Sequence, residues 1–446
     1  MTQAELLAHL SEESFDYARI GIIDLDGILR GKMVSKSKLI SILNNGFGFC
    51  NVVFAWDLND RLYDGITNTG YPDEVATIDP ITLRSIPWQQ DRPFLLADFS
   101  ENTEGLSAAC PRSLLKKVIA KASEMGYTAK FGAEYEWFNF AESPQSWADK
   151  GFTSPKPISP GMFGYSLHRQ SLFQEYTDAL LARTSSFDIP VEGIHTETGD
   201  GVYEAAISPS DILAAADRAA LFKATVKETA NHFGMIASFM AKWNQELPGC
   251  GGHIHQSLWD LEQQTNLFRD EEGMTTLAEH YLAGQLHCLP FLMPIYAPLV
   301  NSYKRYVSGS WAAISVSWGK ENRTTALRWI NGTSAKSARL ETRAPGADAN
   351  PYLAMAACLA SGLYGIEHKL PLNIHPTKGN EYEGEKNSPL PDNLLSATKA
   401  MEESDIAPHL FGEAFTRHFV MSRKEEWAQY NQAVTDWELK RYFEIV

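Results

Sequence analysis

Four short stretches carry residue types at spacings that could do chemistry. In residues 129–140, AKFGAEYEWFNF, polar and apolar residues alternate. A period of two puts Glu134 and Glu136 on one strand face and Tyr135 and Trp137 on the other. Two carboxylates roughly 7 Å apart on one face repel unless a cation or water separates them. In residues 192–206, EGIHTETGDGVYEAA, the residues Glu192, His195, Glu197 and Glu204 crowd around a glycine-rich turn. In residues 248–257, PGCGGHIHQS, His253 and His255 share a strand face after a glycine loop, and Ser257 follows on the same parity. In residues 337–345, SARLETRAP, alternation puts Arg339, Glu341 and Arg343 on one face.

Each stretch alone also fits a plain explanation: an edge strand, a solvated loop, two partly exposed histidines, a surface ladder of ion pairs. Together they say more. Five carboxylates (Glu134, Glu136, Glu197, Glu204, Glu341) and His253 come from separate strand-like segments. Oxygen-dominated ligation suits Mg²⁺ or Mn²⁺, whereas zinc would want more histidine or cysteine. Arg305, Arg323, Arg328 and Arg343 lie in the same half of the chain. Divalent metal plus arginine is the usual apparatus of phosphoryl transfer. The familiar nucleotide loops do not account for it. There is no GxGxxG, and Gly27–Met33, GILRGKM, is one residue too short for a Walker A loop, with Met33 where a metal-binding hydroxyl belongs.

Residues 309–329, GSWAAISVSWGKENRTTALRW, set Trp311, Trp318 and Trp329 beside Arg323 and Arg328. Trp318 and Trp329 lie in strand-like runs and read as core. Trp311 lies between Gly-Ser and Ala-Ala, and reads either as loop packing or as the wall of a pocket.

The elements that must position these residues fall into two groups. Up to about residue 105 the chain reads as one helix, then short strands and turns. YARIGIIDLDGILRGKMV forms a hairpin about Asp26-Gly27, and residues 54–74 are loop-like. Beyond it, long helices alternate with short strands. Pro111 opens one helix and Gly126 closes it. Another is expected to be capped by Ser208, with Pro209 in its first turn and Gly234 at its end. Residues 370–395 read as an exposed excursion, and the tail from Lys424 as an amphipathic helix that docks.

Composition narrows the function. The chain has 446 residues and a formal net charge of −16 at pH 7. So acidic a surface argues against nucleic acid and anionic membrane as partners. The five cysteines are scattered and form no CxxC pair, which favours free thiols in a reducing cytoplasm. Neither a signal peptide nor a membrane-spanning run is expected.

The motifs together resemble the type I glutamine synthetases, and within them the glutamate–amine ligases that make γ-glutamylpolyamines and γ-glutamylmethylamide. PRSLL, GAEYEWF, ETGDGVYE, GGHIHQS, NSYKRY, ENRTTALR, ARLETRAPGADANPY and VTDWELKRY occur in the family's order along essentially the whole chain. The resemblance implies an α+β fold: a β-grasp domain over residues 1–105, then a catalytic α/β domain with a curved antiparallel sheet over 106–446. It implies stacked rings (ten or twelve subunits) with sites between adjacent subunits. Two or more ions of Mg²⁺ or Mn²⁺ would bind: one at Glu136, Glu197 and Glu204, another at Glu134, His253 and Glu341. Glu192, His255, Ser257 and Arg328 match nucleotide-binding positions, and Arg323 the arginine that neutralises the transferring phosphoryl group. Arg305, Arg343 and Gly249 match the grip on glutamate. Asp57 matches the aspartate a neighbouring subunit offers to the incoming amine. The implied reaction joins glutamate to an amine through γ-glutamyl phosphate, at the expense of ATP.

One departure bears on the amine. Glutamine synthetases proper have a glutamate six residues after the arginine of NSYKR. Counted from Arg305, that position is Trp311. A carboxylate suited to ammonium has become an indole, which offers apolar area and a cation–π face. The family's NGSG loop also reads Pro248-Gly249-Cys250-Gly251. An organic amine with an apolar or aromatic body is therefore expected. The alternatives are ammonia as acceptor, which the missing glutamate disfavours, and a noncatalytic homologue, which has no need of the full ligand set. The sequence does not divide polyamine from monoamine.

Overall fold

The computed structural model describes residues 1–63, 70–99, 105–383 and 387–446. Parts of the expected 54–74 loop and 370–395 excursion lie outside that set. The first sheet contains β1 (Tyr17–Ile23), β2 (Leu29–Ser35), β3 (Phe47–Cys50), β4 (Asp73–Ile78), β5 (Arg84–Ile86) and β6 (Arg92–Asp98). Its order is β2-β1-β6-β4-β3, with β5 on β6 and β1 parallel to β6. The hairpin forms as expected, with Gly27 at φ 81°, so the Walker-like stretch is a turn and a strand.

The second sheet holds β7 (Tyr127–Phe140), β8 (Val191–Thr196), β9 (Val202–Ile207), β10 (Ser210–Asp211), β11 (Ile236–Ser238), β12 (Gly252–Asp260), β13 (Trp318–Lys320), β14 (Leu327–Ile330) and β15 (Arg339–Thr342). Its order is β13-β14-β15-β12-β7-β9-β8, antiparallel except for β13 and β14, with β10 and β11 also on β7. One face packs on helices. Phe222 of the helix Ile212–His232 stacks on Tyr135 and meets Trp137 edge-on, so the apolar parity of β7 becomes core. The helices Thr276–Tyr296 and Pro351–Glu367 cross behind the sheet. Gly284 and Gly365 let them touch, since a Cβ on Gly284 would lie 2.2 Å from the Ser361 carbonyl.

We place the domain division at 105/106, between the sheets. Arg112 ties the two sides. Buried, it reaches Asp98 at 2.5 Å, Asp79 at 2.8 Å and Asp217 at 2.9 Å. A buried cation is stable only with such partners.

Three expectations need correction. Ser208 and Pro209 do not start the long helix. Ser210 and Asp211 first pair with β7, and the helix begins at Ile212. The sheet edge outcompetes the local cap. The stretch 370–395 is not a free excursion, because its described part straps the loop after Arg305. The Leu390 amide donates to the Ile314 carbonyl and the Val316 amide to the Ser388 carbonyl. The tail is helical to Gln432 and again over Asp436–Tyr442, but that second helix buries no residue within the chain.

Candidate functional site

Register brings the chemistry to one face of the second sheet. Glu134 stands opposite His253, and Glu136 opposite Glu204. His195 pairs with Glu204, while His255 and Arg328 both face Glu341. Strands β7, β8, β9, β12, β14 and β15 thus each deliver residues of matching parity.

The result is a concentration of negative charge. His195 Nε2 lies 3.1 Å from Glu197 and 3.9 Å from Glu204. Burial, then Glu136, Glu134 and Glu197, push the Glu204 carboxyl up to about 9. Burial works the same way on Glu134, but the adjoining His253 and His255 imidazoles hold that carboxyl well below its usual range. Glu341 is buried too, and Arg343, His255 and His253 bring it down to about 2. Its oxygens meet Arg343 at 2.5 Å and Arg328 at 3.0 Å.

Such crowding fits divalent cations. Carboxylate and imidazole atoms of His195, Glu197 and Glu204 converge within 4.8 Å, as do those of Glu134, His255 and Glu341. Oxygen predominates, the preference of Mg²⁺ and Mn²⁺. His253 Nδ1 is 3.8 Å from Glu134 and 3.7 Å from Glu341. Burial and Arg343 lower its pKa, which favours the neutral imidazole that can ligate. Glu136 adjoins the glycine loop, its Oε2 accepting from the Gly251 amide at 2.7 Å.

A cavity of about 410 Å³ opens beside this cluster, with Glu134, Glu192, His255, Ser257, Trp259 and Arg339 in its wall. Of the four residues expected to bind nucleotide, Glu192, His255 and Ser257 meet here. Arg328 instead spans Glu341 and Glu321. Arg323 lies near Tyr165, a largely exposed side chain whose phenol is pushed up to about 12 by partial desolvation and by Glu197 and Glu204, with Arg323 acting against them.

Gly249, Arg305 and Arg343 come together. A Cβ on Gly249 would sit 2.4 Å from the Ala241 carbonyl and 2.9 Å from Arg305 Cγ. Arg305 donates to the carbonyls of Arg343 and Ala344, both at 3.1 Å. Arg343 Nη2 donates to the Trp311 carbonyl at 3.4 Å. The Trp311 indole is 62 % exposed, on a backbone at φ 61°. It packs no core, whereas Trp318 and Trp329 are buried as expected. Asp57 stands apart. Its Oδ1 accepts from the Asn59 and Arg61 amides, and its Oδ2 from Gln429.

Sequence reasoning missed Tyr165. Its ring stacks on His195 at 4.4 Å and 10°, thirty positions away and with no periodic signal linking the two. It also missed Glu321 as the partner of Arg328.

Comparison with known proteins agrees with this geometry. The family model for the glutamine synthetase catalytic domain matches residues 108–442. The chain belongs to the glutamine synthetase family. It is a carbon–nitrogen ligase of that family. It is 46% identical to type-1 glutamine synthetase 2 of Dictyostelium discoideum, over 96% of this chain and 84% of the relative. It is 37% identical to the glutamate–isopropylamine ligase of a Pseudomonas species, over 98% of this chain and 97% of that one. A solved structure of GmaS in complex with ADP superposes with a TM-score of 0.85 at 29% identity, covering 98% of this chain and 99% of the other. Family members thus include amine ligases as well as glutamine synthetases. No helix among the described residues is long and apolar enough to cross a membrane.

Proposed function

We propose that the protein is an ATP-dependent ligase joining the γ-carboxylate of glutamate to an organic amine with an apolar or aromatic body. The observation that carries the choice of amine is Trp311: an exposed indole hydrogen-bonded through its backbone to Arg343, where ammonia-using relatives are expected to keep a glutamate. One relative is named as joining glutamate to isopropylamine and another as making γ-glutamylethanolamide, which supports the same reading.

In this reading ATP lies in the cavity of Glu192, His255 and Ser257, with Arg328 and Arg323 toward its phosphates. Arg305 and Arg343, beside Gly249, hold glutamate. A γ-carboxylate oxygen bonds to the terminal phosphorus as the phosphorus–oxygen bond to ADP breaks. Arg323 offsets charge on the transferring group. The amine nitrogen then bonds to the acyl carbon, the carbon–oxygen bond to phosphate breaks, and a carboxylate takes the N–H proton. Mg²⁺ or Mn²⁺ held by Glu134, Glu136, Glu197, Glu204, His253 and Glu341 would supply electrostatic stabilisation of phosphate. Asp57 would serve an adjacent copy in a ring. Three hydrogen bonds, from the Asn59 and Arg61 amides and from Gln429, fix its carboxylate in place. The free thiols of all five cysteines support a cytoplasmic location.

The 46% identity to a protein named glutamine synthetase favours a second reading, with ammonia as acceptor. A phosphate-release screen with ATP, Mg²⁺, glutamate and a panel of amines decides between them. The panel holds ammonium, methylamine, isopropylamine, ethanolamine, putrescine and aromatic ethylamines. We expect an apolar monoamine to give the highest kcat/KM. Saturation by ammonium at low concentration, with no response to larger amines, would establish the second reading instead.

A further inference from the structure

A second cluster of metal-ligating side chains lies away from the carboxylate face. Glu367 ends the helix Pro351–Glu367, His368 follows it, and His409 comes from the helix Ile406–Phe411. One ligand atom from each lies within 4.8 Å of the other two, and all three residues are exposed. The Glu367 carboxylate is divided between two duties. Its Oε1 accepts from Lys121 at 2.9 Å, while Oε2 faces His409 Nε2 at 4.0 Å. The oxygen turned to the histidine is the one the lysine leaves.

An aromatic platform gathers the imidazoles. The Tyr364 ring lies 4.2 Å from His368 and 6.0 Å from His409, and His287 stacks parallel to it at 6.3 Å. The rings of His368 and His409 stand 6.5 Å apart. Two imidazoles on one tetrahedral ion need ring centres roughly 5 Å apart. Modest torsion of two exposed side chains closes that gap.

We propose that Glu367, His368 and His409 form a site for a zinc-class divalent ion, separate from the catalytic metals. The donor set decides the class. Two nitrogens and one oxygen suit zinc and its borderline neighbours, whereas the carboxylate-rich face suits Mg²⁺ or Mn²⁺. Three protein ligands leave a fourth position for water. The ion clips the end of the Pro351–Glu367 helix to the short helix beside it, and Lys121 is the competing cation.

The test uses the full-length enzyme, chelator-treated and then dialysed against Zn²⁺ with saturating Mg²⁺ to occupy the catalytic face. Wild type should retain one more Zn²⁺ per chain than the H368Q/H409Q variant. Zn²⁺ should also raise the Tm of wild type and leave that of the variant unmoved. E367Q removes a charged ligand and should weaken binding by more than the roughly tenfold of an outer-shell change. Equal zinc content in wild type and the double variant would overturn the proposal. All three side chains are exposed, so the variants should fold, and Mg²⁺-dependent turnover checks that they have.

Discussion

The two regions that would face substrate are built differently. The carboxylate face is carried by strands, and neighbouring ladder rungs fix it: Glu136 opposite Glu204, His253 opposite Glu134. The loops bearing Trp311 and Asp57 belong to no sheet. They are held by side-chain hydrogen bonds from Arg343, Tyr382, Gln429 and His418 and by the strap from Ser388 and Leu390. Charge that repels must be placed by something stiff, because a carboxylate cluster relaxes apart if its backbone can move. Selectivity for an acceptor needs only a side chain at the mouth, and a loop can change it without disturbing the sheet. In the proposed reading the reaction is written on strands and its choice of amine on loops.

The largest expected effect lies on the strand side. Glu204→Gln removes the carboxylate on which Glu136, Glu134 and Glu197 converge. Turnover should fall about a thousandfold, with weaker Mg²⁺ dependence, as one misplaced ligand ruins phosphoryl stabilisation. Retention of a tenth of wild-type turnover would mean the face is not built as one unit. Gly249→Ala is next. The added methyl meets the Ala241 carbonyl and Arg305. KM for glutamate should rise at least tenfold, and KM for ATP much less. Equal changes in both would show that the strain spreads beyond the glutamate grip.

The same contrast explains what could be read in the sequence. Glu134, Glu136, His253, His255 and Arg339 were legible because a strand repeats every two residues, so spacing alone assigns a face. The packing of Trp318 and Trp329 followed from the same rule. Tyr165 was not legible, because nothing periodic joins it to His195. The start of the long helix was misread because Ser208 and Pro209 satisfy every local rule for a cap. Only the β7 edge, some eighty residues upstream, takes Ser210 and Asp211 into a strand. The strap over residues 312–316 was hidden for a similar reason. Glu381 looks like one more surface acid, yet it is buried against Ser315 and Thr377.

On the loop side, His418 tests how firmly the Asp57 segment is held. Its Nε2 bonds the Phe54 carbonyl at 2.6 Å, and burial lowers its pKa to about 4. The unfolded chain binds a proton near pH 6.5 and the folded one does not until about 4. The stability His418 confers is therefore complete above pH 6.5 and lost as pH falls through that window. The span is worth up to about 3 kcal/mol. His418→Gln keeps a donor for Phe54 and removes the titration. Urea unfolding from pH 7 to 4.5 should lose less stability in the variant than in wild type. Parallel curves would mean that this imidazole is protonated as easily folded as unfolded.

The most selective effect on the reaction belongs to Trp311. Its φ of 61° costs a non-glycine residue about 1 kcal/mol, so the loop holds the indole outward against a local preference. Ala312 and Ala313 are fully buried beneath it, and Tyr382 bonds the Ala312 carbonyl at 2.9 Å. The side chain can therefore be truncated while its loop stays anchored. Trp311→Ala removes apolar area and a cation–π face. For the preferred bulky amine, kcat/KM should drop about ten- to a hundredfold. Phosphate release without amine should change less than twofold, because Arg323 and the strand-borne carboxylates are untouched. If both fall together, the indole braces Arg343 and the glutamate grip, and the division between a stiff catalytic face and an adaptable acceptor loop fails at this residue. If only the bulky amine suffers, and ammonium gains, the loop alone sets which nitrogen the enzyme accepts.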